Sequence, residues 1–234
     1  IYSGSWRFYW GADGKNEMIL GKGDIISMPT NMFRGFENAG DEEGLIFVVL
    51  GNDDPGIITW VPNVLIKAKE TGLALLDDNS LIDLKENEIP PNRKLLEPIT
   101  NETIQKFDNY EINQIEKFIC RFKDQINHEI NLNNRIKIIQ IIGSSFSNKN
   151  YNAIINHDTG FNLSILKGKQ GLIENLVFDK PTILFSQKGN WKVKIEENEF
   201  NINSKDTFSL PLNTKVSVSI DSNEDCFLNC VSKA

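Results

Sequence analysis

One stretch of this chain is written twice, and that constrains its fold more than any other feature. Gly4-Ser5-Trp6-Arg7 returns as Gly189-Asn190-Trp191-Lys192. Gly23-Asp24-Ile25-Ile26-Ser27-Met28-Pro29-Thr30-Asn31 returns as Lys205-Asp206-Thr207-Phe208-Ser209-Leu210-Pro211-Leu212-Asn213. From Gly4 to Pro29 is 25 residues and from Gly189 to Pro211 is 22, a difference that one shorter hairpin explains. A duplication of this kind predicts two similar units joined by a linker. The 234 residues suffice for two domains of about 100 each.

Both copies read as short strands with closely spaced turns, the all-β pattern. Trp6, Phe8 and Trp10 alternate onto one strand face, followed by an Asp13-Gly14 hairpin signal. Further strands are expected at about 17–20, 24–28, 32–37 and 45–50. The last, Leu45 to Leu50, is a continuous apolar run of the kind buried on both faces. A helix is expected over 61–72, with Pro62 in its first turn and Gly72 at its stop. Residues 85–101 are polar and Pro-bearing and read as linker. Ile112, Ile115, Phe118, Ile119 and Phe122 then predict a core-facing helix over about 111–124. Strands resume at about 136–142, 161–166, 182–185, 191–195, 207–210, 215–220 and 226–231. The expected organisation is a partial first barrel with its trailing helix (1–84), a linker with a helix (85–130) and a second barrel (131–234).

Charge and composition exclude several classes of function. Lys and Arg number 25 against 32 Asp and Glu, a net charge of −7, which gives no footprint for nucleic acid. No apolar run approaches the ~20 residues of a membrane-spanning helix. Phosphate-binding glycine loops, a nucleophile elbow and zinc-finger spacing are absent. Gly51-Asn52-Asp53-Asp54-Pro55-Gly56 reads as a plain turn rather than a calcium loop. Three cysteines do not make a disulfide framework. Cys226 and Cys230 share a strand face too far apart to bond, so buried thiols are expected. Only two histidines are present, His128 and His157. His157-Asp158 reads as a surface pair in a turn, since a metal needs several convergent ligands. The chain opens on Ile1 inside a strand, so it reads as a piece of a longer one. A cytoplasmic setting is expected, with any leader upstream. Lys-, Asn- and Ile-heavy usage suggests an AT-rich bacterial genome.

At the repeated residues the sequence resembles the cupin superfamily, specifically its two-domain bicupins. The second cupin motif runs G-x5-P-x-G-x2-H-x3-N. Gly23, Pro29, Asn31, Arg34 and Asn38 fall on it without a gap, with Asn31 in place of the motif Gly and Arg34 in place of the motif His. Gly4 resembles the glycine that closes the first motif, whose two His and one Glu would then lie before Ile1. The resemblance implies two jelly-roll, double-stranded β-helix barrels joined by a helical linker. In the family, imidazoles and a carboxylate hold a divalent metal inside the barrel. In the second unit Thr182 lands on the Glu position, Asn175 and Val177 on the His-x-His positions, and Val216 on the second His. That barrel is expected to be metal-free.

Arg34 stays protonated and cannot ligate a metal, but it can grip a carboxylate or phosphate bidentately. Alternation puts Phe36 on its face, with Asn38 continuing it. With Trp6, Phe8 and Trp10 lining another strand's inward face, these residues describe a pocket for a small organic anion. The plainer alternative is that Arg34 pairs with a nearby acid, such as the Glu expected just upstream of Ile1, and holds the barrel shut. The expected ligand-binding residues are therefore Arg34, Trp6, Phe36, Asn38 and Trp10, with no metal or cofactor held by this chain. The alternative function is a dioxygenase-like cupin metalloenzyme whose Fe, Mn, Ni or Zn is held by upstream residues. The expected partner is a small anionic molecule, with neither nucleic acid nor membrane. The apolar 45–50 strand would be a liability at an open edge, so the barrels are expected to pack on each other or in a homo-oligomer.

Overall fold

The computed structural model describes residues 1–51, 58–143, 152–157 and 159–234. Strands hold 45% of the chain and helices 12%, so the chain is predominantly β as the alternation predicts. The Gly51–Gly56 turn lies, beyond Gly51, outside the described residues, as does Asp158. No described helix is long and apolar enough to cross a membrane.

The first copy contains β1 (Trp6–Trp10), β2 (Asn16–Leu20), β3 (Ile25–Ile26) and β4 (Arg34–Asn38). β2, β1 and β4 form an antiparallel sheet in that order. Next come α1 (Pro62–Glu70), β5 (Leu73–Leu75) and β6 (Leu81–Asp83). Pro62 opens α1, Lys67 and Lys69 occupy its last turn, and Gly72 follows its cap at φ +93°, as the stop signal predicts. Ala74, Leu76 and Ile82 give this small lobe an apolar cluster of its own.

The chain continues through α2 (Asn101–Ile104) and α3 (Ile112–Ile115). The single helix expected over 111–124 is instead broken into pieces. After α3 come a 3-10 turn (Glu116–Phe118), β7 (Ile119–Cys120) and a second 3-10 stretch (Phe122–His128). Phe118, Ile119 and Cys120 are buried in succession, which a helix with one apolar stripe cannot provide. β7 pairs instead with β3.

The second copy contains β8 (Ile130–Asn131), β9 (Ile136–Ile142), β10 (Phe161–Phe178), β11 (Thr182–Lys188), β12 (Trp191–Ile195), β13 (Asn198–Ile202), β14 (Thr207–Leu210) and β15 (Thr214–Lys233). β10 and β15 are long and run antiparallel, with register shifts where they bend. One half of β15 pairs with β11 and the other with β12, so the sheet folds back over its own apolar face. Trp191, Val193, Leu166, Phe178, Leu184, Val218 and Leu228 fill that interior. Its outer face carries Ile139, Ile165, Phe227 and Val231. These pack with Phe8, Trp10 and Leu20 of the first copy and Ile115 and Phe118 of the linker in one shared cluster.

The duplication survives in the local geometry. Gly4 and Gly189 both have positive φ, +84° and +94°. Two residues on, each tryptophan turns its indole N–H back to a carbonyl: Trp6 to Ser3 at 3.0 Å and Trp191 to Lys188 at 3.2 Å. Asp24 and Asp206 each accept the main-chain N–H three residues back, from Gly21 and Asn203. Asn31 and Asn213 share the left-handed conformation, at φ 58° and 57°. Registers also coincide. Trp6 opposes Leu20 and Asn38, and Trp191 opposes Ile202 and Ile220.

Gly189 is needed for close approach as well as for φ. A Cβ there would sit 2.3 Å from Cys226 Sγ and 2.6 Å from its Cβ. Gly189→Ala is expected to lower stability by about 2 kcal/mol or more, through strain and overpacking together. Chemical denaturation would measure this, and a variant as stable as the parent would contradict the account.

Leu45–Leu50 does not form the expected two-sided strand. Leu45 bridges Ser3, and beyond it no ladder forms. Ile46, Phe47 and Val49 pack on the shared cluster, with Phe47 stacked on Phe185 at 4.1 Å, while Leu45, Val48 and Leu50 are exposed. Apolar side chains alone do not make a strand, because its main chain needs a partner. The three cysteines are buried as expected. Cys120 lies in the shared cluster and Cys226 and Cys230 in the C-terminal interior.

Candidate functional site

The β1–β4 register sets Trp6 opposite Asn38, Phe8 opposite Phe36 and Trp10 opposite Arg34. Directly opposed residues project to one side of a sheet, so the six side chains share a face. Along that face burial falls off. Trp10 and Phe8 belong to the core, with the Trp10 indole donating to Tyr110 O at 2.6 Å. Trp6 is half-buried. Phe36 is 56% exposed, although its ring lies 6.0 Å from those of Trp6 and Phe8. Trp6 and Phe36 can therefore offer an aromatic wall to a ligand, and Trp10 can only support them.

Arg34 donates from Nη1 to Pro29 O at 2.6 Å. No carboxylate among the described residues lies within ion-pairing distance of it. Partial burial lowers its pKa, and a guanidinium remains charged all the same. Any acid that holds Arg34 would have to come from outside the described residues, as the Glu expected before Ile1 would. Asn38 is committed locally: its Nδ2 donates to Glu42 O at 2.6 Å and its Oδ1 accepts from Gly40 N at 3.0 Å.

The opposite face has its charges paired. Arg7 donates to Glu17 at 2.7 Å and Glu37 at 2.8 Å, over the Tyr9 ring at 4.7 Å. Tyr9 has room to lie across β4 because residue 35 is glycine, where a Cβ would come within 2.5 Å of the ring.

The second unit carries a polar row that sequence reading missed. Gln140, Asn162, Ser164, Thr182 and Ser232 are all buried. Asn162 opposes Ser232, which in turn opposes Thr182. Ser164 Oγ donates to Gln140 Oε1, whereas Gln140 Nε2 and Ser232 Oγ have no hydrogen-bond partner among the described residues. The signal was present as single polar residues at alternate positions in otherwise apolar strands. Of the matched motif positions here, Val216 is core, Thr182 donates to Lys180 O, and Asn175 and Val177 face outward. Among the described residues, no three His, Cys, Asp or Glu side chains converge as a metal site would require. His157 Nδ1 meets Ser27 Oγ at 2.8 Å, and its ring lies 4.8 Å from that of Phe118. This packing against the first copy is not visible in the His157-Asp158 dipeptide.

A third feature is a cleft of ≈ 350 Å³ between the 3-10 stretch and the sheet, lined by Phe122, Ile126, Phe227, Lys167 and Asp225. Beside it, Glu129 bridges Lys137 and Lys167, with Lys167 Nζ at 2.5 Å. Burial alone would raise the Glu129 carboxyl. The two lysines outweigh it and hold the group below the ordinary range. The charges in this cleft are largely satisfied by one another, which leaves Arg34 as the better ligand-binding candidate.

No family model matches the chain, and no curated protein does. Among solved structures it is similar to the Clostridium difficile EutQ protein at 10% identity and a TM-score of 0.36, over 53% of this chain and 91% of that one. It is also similar to KdgF from Halomonas sp. (11%, TM-score 0.33, 45% and 86%). A cupin superfamily protein from Desulfitobacterium hafniense matches at 7% and 0.33, over 44% and 83%. These neighbours are cupin-superfamily proteins.

Proposed function

We propose that this chain is a bicupin-type binding protein that takes a small organic anion on the first-copy face at Arg34. The observation that carries the proposal is the charged Arg34 guanidinium. It spends one donor on a backbone carbonyl, has no carboxylate partner among the described residues, and sits beside exposed Phe36. A guanidinium has five N–H donors in a planar fork, which suits a carboxylate or phosphate. Phe36 and Trp6 add an aromatic wall for an apolar body, so an aryl carboxylate fits the site best. Arg34 stands where the second copy has Val216, so the first copy carries a charge at a position that is core in its twin.

Benzoate serves as the probe, titrated calorimetrically into wild type and Arg34→Gln. Wild type is expected to bind, and the variant at least about tenfold more weakly, the worth of one charged hydrogen-bonded contact. Equal binding by the two proteins would overturn the reading.

A further inference from the structure

We infer that the cleft between the second 3-10 stretch and the second-copy sheet is a separate binding site for a zwitterion with a large apolar side chain, an aromatic α-amino acid. Its volume of ≈ 350 Å³ lies within the range of small-molecule sites, roughly 300–1,000 Å³. Its lining residues all come from 122–129 or from the second copy. The site therefore stands apart from the Arg34 face.

The apolar part of the cleft is built by two elements. Directly paired residues project to one side of a sheet, so Lys167 of β10, Phe227 of β15 and Lys188 of β11 stand side by side. From the 3-10 stretch the Phe122 ring meets that of Phe227 edge-on at 5.5 Å. Phe122 and Ile126 both belong to the lining, and both are exposed. A ligand's apolar side chain gains free energy by covering them, and a ring extends the Phe122–Phe227 pair.

Charge narrows the ligand further. Lys123, Lys167 and Lys188 line the cleft together with Glu129 and Asp225. Glu129 is engaged by Lys137 and Lys167, and Lys188 by Glu224 at 2.6 Å. The pairing is incomplete at two points. The Lys123 ammonium makes no hydrogen bond or ion pair among the described residues. Asp225 is half-buried, its carboxylate accepts no hydrogen bond among them, and Lys167 Nζ is 3.8 Å away. A lone anion at Lys123 would also face the carboxylates of Glu129 and Asp225. A lone cation at Asp225 would face the three ammonium groups. A molecule carrying both charges suits both points: its carboxylate accepts from Lys123, and its ammonium donates to Asp225.

The test titrates L-phenylalanine calorimetrically into the whole chain. Wild type and Arg34→Gln are expected to bind it equally, whether or not benzoate binds at Arg34, which separates this inference from the anion site. Two truncated ligands are then titrated into Arg34→Gln: 3-phenylpropionate, which lacks the ammonium, and phenethylamine, which lacks the carboxylate. Each is expected to bind at least about tenfold more weakly than L-phenylalanine, the worth of one charged hydrogen bond. In the chain, Lys123→Gln and Asp225→Asn should each weaken L-phenylalanine binding at least about tenfold as well. Should either variant fail to fold, the truncated ligands still decide the matter. Four results would overturn the inference: no binding of L-phenylalanine, loss of its binding in Arg34→Gln, a truncated ligand that binds as tightly, or variants at residues 123 and 225 that bind as tightly as wild type.

Discussion

Replacing Trp191 with alanine should lower the unfolding free energy by about 3–5 kcal/mol, read as a shift of the urea midpoint. Trp191 has no exposed surface and sits among Val193, Val218, Ile220 and Leu228 in the C-terminal interior. Truncation removes its apolar burial and leaves a cavity that flanking strands, tied on both sides, cannot collapse to fill. It also strips the Lys188 carbonyl of the indole donor. Trp6 makes the same backward hydrogen bond in the first copy but is only half-buried, so Trp6→Ala should cost about 1–2 kcal/mol. Equal losses at the two tryptophans would mean that the burial difference between the copies is wrong.

Glu129→Gln should be nearly as damaging, at about 3 kcal/mol. The substitution keeps the shape of the side chain and removes its charge, leaving Lys167 with Asp225 at 3.8 Å as its one remaining carboxylate within reach among the described residues. The wild-type dependence on pH has a definite sign. The folded-state carboxyl pKa lies below the ordinary 4.5, so the stabilisation is fully present above that value. It drains away as pH falls from 4.5 through the lowered folded value. A pH series of urea melts should show this acid-limb loss shallower in Glu129→Gln than in wild type. Parallel acid limbs in the two proteins would contradict the ion-pair account.

The strands around the duplicated motifs were legible because turn chemistry and alternation are local. Gly189, Asn213 and the Asp206 turn can be read from a few neighbouring residues, and the shared face of Trp6, Phe8 and Trp10 follows from a period of two. What failed depended on distant partners. Residues 111–124 carry a helical stripe, but the β3 edge draws Ile119 and Cys120 into pairing. Leu45–Leu50 has a strand's composition without a ladder to join. Expected strands 215–220 and 226–231 are one continuous β15, in which Glu224 pairs with Lys188 and Asp225 lies 3.8 Å from Lys167, partners distant in sequence. At the candidate site, alternation foresaw which side chains share a face. It could not foresee that Trp10 would be core while Phe36 stays open, since that depends on how the linker packs.

The placement of the three thiols makes the protein its own reporter of local opening. A cysteine is alkylated as its thiolate, and burial pushes the Cys120 thiol up to about 12 and raises that of Cys230 as well. Labelling therefore waits for the surrounding structure to part. Cys120 reads the cluster joining the two copies, and Cys230 reads the interior of the second copy alone. Site-resolved alkylation rates would then show whether the copies come apart before the second one opens, or whether both yield in a single event.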